Sequence, residues 1–276
     1  MIEPMTPMAD TRKDLKYQNI AVDFDGALAT VTLNRPAQMN PLDKETVQDL
    51  LACFRRIESD STTRVVVITG SGKAFSAGGD LEGYLSLYRA PDAFRAFLDD
   101  LHALLVGFEK SDRIVIAAVN GWCLAGGIEL ILACDLVVAS DQARIGDAHL
   151  NYGQLPGAGG SQRLPRAIGV PRAKDIILTG RSVDATEALR LGLISRVFPH
   201  GRLMEETRKL AAEMMERSPV GLKGAKRLIN EGMTMPFAQA LRFEIDFVHR
   251  YATTCPDAYE GLLAFRDKRT PRFGQR

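Results

Sequence analysis

Three short runs constrain the fold of this chain more than any other feature: VVVITG at 65–70, IVIAAVNG at 114–121 and LVVAS at 136–140. Each is a block of apolar, largely β-branched residues without polar alternation. A strand with one face in water alternates polar and apolar side chains. Unbroken blocks of this length therefore predict strands buried on both faces, as in a parallel sheet covered by helices. The first two runs end in glycine and lead into Gly-rich segments, SGKAFSAGGDLEGY and WCLAGGIE, the first read as a loop and the second as a loop opening a helix. Strand, Gly loop and helix recur at irregular spacings of roughly 20–50 residues, which predicts stacked β-β-α or β-α units and not a regular short repeat.

The flanking segments extend this plan. Residues 18–35, QNIAVDFDGALATVTLNR, read as a hairpin turning at Asp25-Gly26. Asp43 is the expected N-cap of a helix reaching about Ser59, and Pro91 opens another over 91–110. From about residue 161 helical patterns dominate: 161–168, 171–179, 184–192, 202–217, 219–231, 236–252 and 256–268, punctuated by Gly and Pro. The expected organisation is a disordered N-terminal tail over 1–16, an α/β core over 17–200 and a helical region over 201–276.

Lys and Arg number 35 against 34 Asp and Glu, a formal net charge of +1, which gives no support for a nucleic-acid or membrane-surface role. No run approaches the ~18 apolar residues of a membrane span, and the first 15 residues lack the apolar stretch of a secretory signal. Cys53, Cys123, Cys134 and Cys255 are scattered without a C-x-x-C pair, so neither a metal site nor a disulfide framework is expected. A cytoplasmic protein is the expectation.

The glycine loops carry the chemistry. TGSGKAF offers Gly72-Lys73, but a phosphate-binding P-loop needs glycine where Val67 stands. GAGGSQ at 157–162 ends in Gln162 and follows no strong strand, unlike a dinucleotide fingerprint. AFSAG imitates a nucleophile elbow around Ser76, but Ala74 replaces its first glycine. A better account uses two loops together. SAGGD and LAGGIE each follow a buried strand, and glycine lets backbone N–H groups approach a ligand closely. One N–H from each loop, with Gly126 opening a helix, could converge on a single oxygen. That is an oxyanion hole, suited to a thioester carbonyl becoming an enolate.

At these residues the chain resembles the enoyl-CoA hydratase/isomerase, or crotonase, superfamily. The matching segments are NRPAQMNPLD (34–43), VVVITGSGKAFSAGGDL (65–81), IAAVNGWCLAGGIELILACDLVVAS (116–140), YGQLPGAGGSQRLPRAIG (152–169), LTGRSVDATEALRLGLISRVF (178–198) and GLLAFRDKR (261–269). The resemblance implies an α/β crotonase (ClpP-like) fold, a spiral of β-β-α units with a helical C-terminal region that forms trimers or dimers of trimers. It implies an acyl-CoA substrate, with coenzyme A part of that substrate and no separate cofactor. It places the oxyanion N–H groups on Gly79 and Gly126. CoA contacts fall on Ala37, Gln38 and Met39, on Ala77, Asp80 and Leu81, and near the C-terminus on Phe265 and Lys268, the last two reaching the CoA of a neighbouring subunit. The segment after Leu81 and the helix 236–252 are expected to line the acyl end, with Tyr84, Leu85, Leu87 and Tyr88 forming an apolar pocket.

The first hydratase acid falls on Glu129, in the first turn of the helix begun near Gly126. The second belongs seven residues before the Pro of PGAGG, where this chain carries His149. Imidazole is accessible in both protonation states near neutrality, so it can donate or accept a proton at the substrate α-carbon. The expected activity is hydration of a 2-enoyl-CoA, with Glu129 handling water and His149 the α-carbon proton. Two alternatives stand beside it. One is a C–C hydrolase of the retro-Claisen type, or a decarboxylase, using His149. Its supporting aspartate would fall on Ala158, which cannot orient an imidazole, although Asp147 could substitute or could merely cap the next turn. The other is an acyl-CoA-binding member without turnover.

Overall fold

The computed structural model describes residues 16–274. The tail expected over 1–16 lies, except for Lys16, outside the described residues. The hairpin forms as β1 (Ile20–Asp25) and β2 (Leu28–Leu33), antiparallel about Gly26. β2 then pairs in parallel with β3 (Val65–Gly70). The three apolar runs become β3, β5 (Ile114–Val119) and β7 (Leu136–Ser140), parallel neighbours in a six-stranded sheet that ends on β10 (Arg196–Phe198).

The unbroken apolar patterning has a direct cause. Side chains alternate between the two faces of a strand. Val66 and Ile68 of β3 join the larger core with Val47, Leu50 and Phe54 of α1 (Lys44–Ser59) and Leu104 and Phe108 of α3 (Pro91–Lys110). Val65 and Val67 face the other way, into a second core with Leu203, Leu210 and Ala211 of α8 (Leu203–Met215). Asp43 caps α1 by accepting from the Thr46 N–H at 2.9 Å, as expected.

A smaller sheet stands beside the first: β4 (Ala74–Ser76), β6 (Trp122–Leu124), β8 (Arg144–Gly146) and β9 (Ser182–Asp184), in that order. β4, β6 and β8 follow β3, β5 and β7 respectively, so each large strand hands the chain to a short one before a helix. This is the spiral of β-β-α units. The segment 71–84, read as loop from sequence, contains β4 and the start of α2 (Leu81–Leu87). Strands of three residues are too short to show a period.

Two asparagines pin the connections. Asn40, 1% exposed, donates to the Ala74 and Ser71 carbonyls at 2.8 and 3.0 Å. Asn120 accepts from the Gly70 N–H at 3.1 Å and donates to the Gly72 carbonyl at 2.9 Å. The C-terminal helices α9 (Pro219–Gly232), α10 (Phe237–Thr254) and α11 (Pro256–Arg266) follow α8. Buried Lys226 anchors α9 to the core, donating to the Phe108 and Arg113 carbonyls and to Asp135 Oδ2 at 2.7–2.8 Å. Among the described residues no helix is long and apolar enough to cross a membrane.

Candidate active site

The first site element is α4 (Gly126–Leu132), a short helix opened by the second glycine loop. Its Gly126 N–H belongs to the first turn and has no partner within the helix. Gly79 lies at the end of the first glycine loop. Neither N–H donates a hydrogen bond among the described residues. Both glycines line one cavity, together with Glu129, His149, Tyr84 and Tyr88. The loops are held close: a Cβ on Gly78 would stand 2.7 Å from Ala125 Cβ and 3.1 Å from the Gly126 nitrogen. Gly78 has φ +100°, and Ala125, which has a Cβ, is forced to φ +49°. Positive φ at such a residue is costly and persists only where the surroundings impose it.

Glu129 projects into this cavity and is 2% exposed. Its Oε1 accepts from the Ala158 and Gly160 N–H groups at 2.8 and 2.7 Å. This leaves Oε2 to face the cavity, 3.6 Å from His149 Nε2. Burial raises the Glu129 pKa above the ordinary carboxylate value, against the opposing pull of the Gly160 N–H, His149 and the Ala158 N–H.

His149 follows β8 by a left-handed turn at Ala148, φ +56°. That turn sets its ring against Asp147, with Nδ1 2.9 Å from Oδ1. A carboxylate oxygen can only accept, so Nδ1 carries the proton and Nε2 is the atom turned toward Glu129. Burial works against the imidazolium, but the Asp147 hydrogen bond and the charges of Glu129 and Asp147 outweigh it, and the pKa rises above 6.5. Asp147 itself is fully buried, and its Oδ2 has no hydrogen-bond partner among the described residues. It does not lie within a strand: β8 ends at Gly146. Ala158, the position expected to lack an imidazole partner, contributes its backbone to Glu129 instead.

The far wall of the cavity is aromatic. Tyr84 of α2 and Tyr88 at its C-cap stack at 5.7 Å, and Phe94 meets Tyr88 edge-on at 4.8 Å. The Tyr84 hydroxyl lies against the Gly79 Cα, and burial, followed by Tyr88, Glu129 and Asp80, pushes its pKa up to about 12, so it stays a neutral phenol. Tyr88 donates to Gln154 Oε1, which closes the wall. The free cavity, about 40 Å³, holds only a few waters.

The structure thus brings Gly79, Gly126, Glu129 and His149 together. None of the sequence-based CoA positions lines the cavity. Ala37 and Gln38 form a short turn, and Met39 accepts from the Ala77 N–H at 2.9 Å, joining the two motifs. Asp80 caps α2 and Leu81 is half exposed. Phe265, 87% exposed, and Lys268 stand at the end of α11, away from the chain's own cavity. Residues 236–252, expected at the acyl end, do not line the cavity; α10 packs on α9 and α11 instead. Sequence reasoning missed Gln154 and left open whether Asp147 pairs with His149 or caps the next turn, which the 2.9 Å contact decides for the pairing. The D-x-H spacing was a signal for the second; nothing local marks the first.

The sequence profile of the enoyl-CoA hydratase/isomerase family matches residues 23–276. The chain belongs to this family. A relative from Mycobacterium tuberculosis, named "Probable enoyl-CoA hydratase echA8", is 38% identical over 95% of this chain and 100% of its own. The short-chain-enoyl-CoA hydratase of Clostridium acetobutylicum is 34% identical over 92% of this chain and 97% of its own. The crystal structure of an enoyl-CoA hydratase from Bacillus anthracis superposes with a TM-score of 0.88 at 37% identity, covering 93% of this chain and 99% of that one. The spiral described above is the crotonase fold, and family membership makes the protein an enzyme of the hydro-lyase type.

Proposed function

We propose that the protein hydrates a 2-enoyl-CoA through a thioester enolate. The observation that carries this reading is that two glycines, whose N–H groups have no partner among the described residues, line one cavity with a buried carboxylate and an imidazole. The thioester oxygen would accept from the Gly79 and Gly126 N–H groups. A water about 2.8 Å from both Glu129 Oε2 and His149 Nε2 fits between atoms 3.6 Å apart. Glu129 takes a proton from that water, and its hydroxide forms the C–O bond at the β-carbon. The double-bond electrons pass to the thioester oxygen as an enolate, where the oxyanion donors stabilise it. The enolate re-forms the carbonyl as its α-carbon takes the Nε2 proton of His149. Glu129 then returns a proton to Nε2 and the site is reset.

The Tyr84 hydroxyl stands against Gly79, so the thioester must displace it to enter. The CoA contacts follow from the same reading. Ala37, Gln38, Met39, Ala77, Asp80 and Leu81, in the two motifs joined by the Met39–Ala77 hydrogen bond, would hold the CoA. Phe265 and Lys268 would reach the CoA of a neighbouring copy in a trimer or hexamer.

Incubation with a panel of 2-enoyl-CoAs in heavy water, read by mass spectrometry, tests the reading. The expected product is an intact CoA ester carrying one added water and one deuterium at the α-carbon. Intact enoyl-CoA throughout the panel would overturn it. A second reading, water attack on a β-ketothioester with C–C cleavage, has one observation behind it: Asp147 supports His149 where Ala158 cannot. Including β-ketoacyl-CoAs in the panel decides between them.

A further inference from the structure

Asp147 is a buried carboxyl beside the site to which hydration assigns no task. It is fully buried, its Oδ1 lies 2.9 Å from His149 Nδ1, and its Oδ2 has no partner among the described residues. A buried carboxylate with an open lone pair is expensive to retain. The turn that brings it to the ring runs through Ala148 at φ +56°, a conformation that residues with a Cβ rarely adopt. As a turn cap Asp147 is poor, since the His149 N–H stands 3.4 Å from Oδ1. The stronger contact is to the ring.

We propose that Asp147 is a positioning residue: it keeps the proton of His149 on Nδ1 and fixes the ring so that Nε2 alone faces Glu129 and the cavity. The catalytic half of this inference rests on the reading of His149 as the α-carbon acid. It also couples two positions. A glutamate at 149 would stand between the carboxyls of Asp147 and Glu129, and like charges at that spacing disfavour ionisation. Histidine at 149 and aspartate at 147 therefore form one choice.

Asp147→Asn separates this role from a structural one. Asparagine keeps the size and the cap acceptor, but it removes the charge and can present an N–H to the ring. The charged groups acting on His149 are Asp147 beyond β8 and Glu129 on α4; Tyr84 of α2 and Tyr88 at its C-cap line the same cavity. Without Asp147, burial lowers the imidazole pKa against Glu129 alone. The alkaline limb of kcat/KM, which marks loss of the imidazolium, then moves to lower pH.

The experiment is 15N NMR of the histidine-labelled full chain, recorded without substrate above the His149 titration midpoint, alongside kcat, KM and pH profiles on crotonyl-CoA. The wild-type ring is expected to carry its proton on Nδ1. In Asp147→Asn the proton shifts toward Nε2, kcat falls by about 10²–10⁴-fold and KM stays within about threefold. Adding Asp147→Asn to His149→Glu raises the activity of the single His149→Glu variant by about tenfold. An unchanged tautomer and titration midpoint in Asp147→Asn would overturn the proposal, as would a kcat within threefold of wild type. If that variant fails to fold, the wild-type spectrum decides, because an Nε2–H tautomer there is incompatible with the proposal. The spectrum needs no substrate, so failure of hydration and failure of the positioning role are read separately.

Discussion

Glu129 holds its charge where charge is costly. Burial raises its pKa, and the N–H groups of Gly160 and Ala158, together with His149, only partly oppose this. The sign follows: a carboxyl whose folded pKa exceeds its unfolded value is favoured in its protonated form, so holding it ionised at neutral pH destabilises the fold. Glu129→Gln keeps an oxygen for both N–H groups and removes that cost. It is expected to lose at least about 10³-fold in kcat while melting at or up to about 4 °C above wild type. A variant within tenfold of wild-type turnover, or one melting well below it, would contradict this account. The residues whose chemistry depends on local spacing were legible: Gly79, Gly126 and Glu129 sit in two short motifs, and His149 at a fixed offset from a third. The Asp147–His149 contact was open in the sequence because it depends on the left-handed turn at Ala148. A chain of alanines and polar residues does not announce such a turn.

The helix α2 is the most weakly held wall of the site. None of its residues is fully buried; Tyr84 and Leu87 pack partly buried on the core, and the Asp80 cap, the stacked tyrosines and the Tyr88–Gln154 hydrogen bond do the rest. Tyr88 and Leu155 are themselves 45% and 75% exposed on their outer side, so the end of the acyl cavity is a thin clasp and not part of the core. Releasing the clasp should open the cavity to longer chains. Gln154→Ala is expected to raise the ratio of kcat/KM for 2-decenoyl-CoA over crotonyl-CoA by about fivefold or more, the scale of one hydrogen bond. An unchanged ratio would place the chain-length limit elsewhere. The clasp joins positions 66 residues apart, and nothing local marks such a pairing in one sequence. The long elements were different. β3, β5 and β7 were legible because both faces are buried, and the C-terminal helices because Gly and Pro separate them. The three-residue strands of the smaller sheet carry too few residues for any pattern, although they position both glycine loops.

Among the described residues, the C-terminal helices expose more apolar surface than a solitary chain tolerates. α10 buries none of its residues, and Phe237, Ile245, Leu262 and Phe265 are 78%, 64%, 69% and 87% exposed. Large apolar side chains left in water in this number are what an interface between copies would cover. Sedimentation of the full chain is expected to give a mass of three or six copies, and the Ile245→Asp, Leu262→Asp pair to reduce it to one. A monomer at micromolar concentration would contradict this. The large sheet carries a different consequence, for the growing polypeptide. From β2 onward each neighbour across the sheet is separated by a long excursion of chain, with β3 meeting β5 and β5 meeting β7. Such contacts close slowly. Until Leu136 has left the ribosome, the β5 edge has no β7 to pair with, and until α8 follows, the second face of β3 and β5 has no cover. The nascent chain therefore carries its stickiest strands uncovered through most of synthesis. The residues of the candidate site, drawn from three successive turns of the spiral, are all synthesised before the helix that covers that second face.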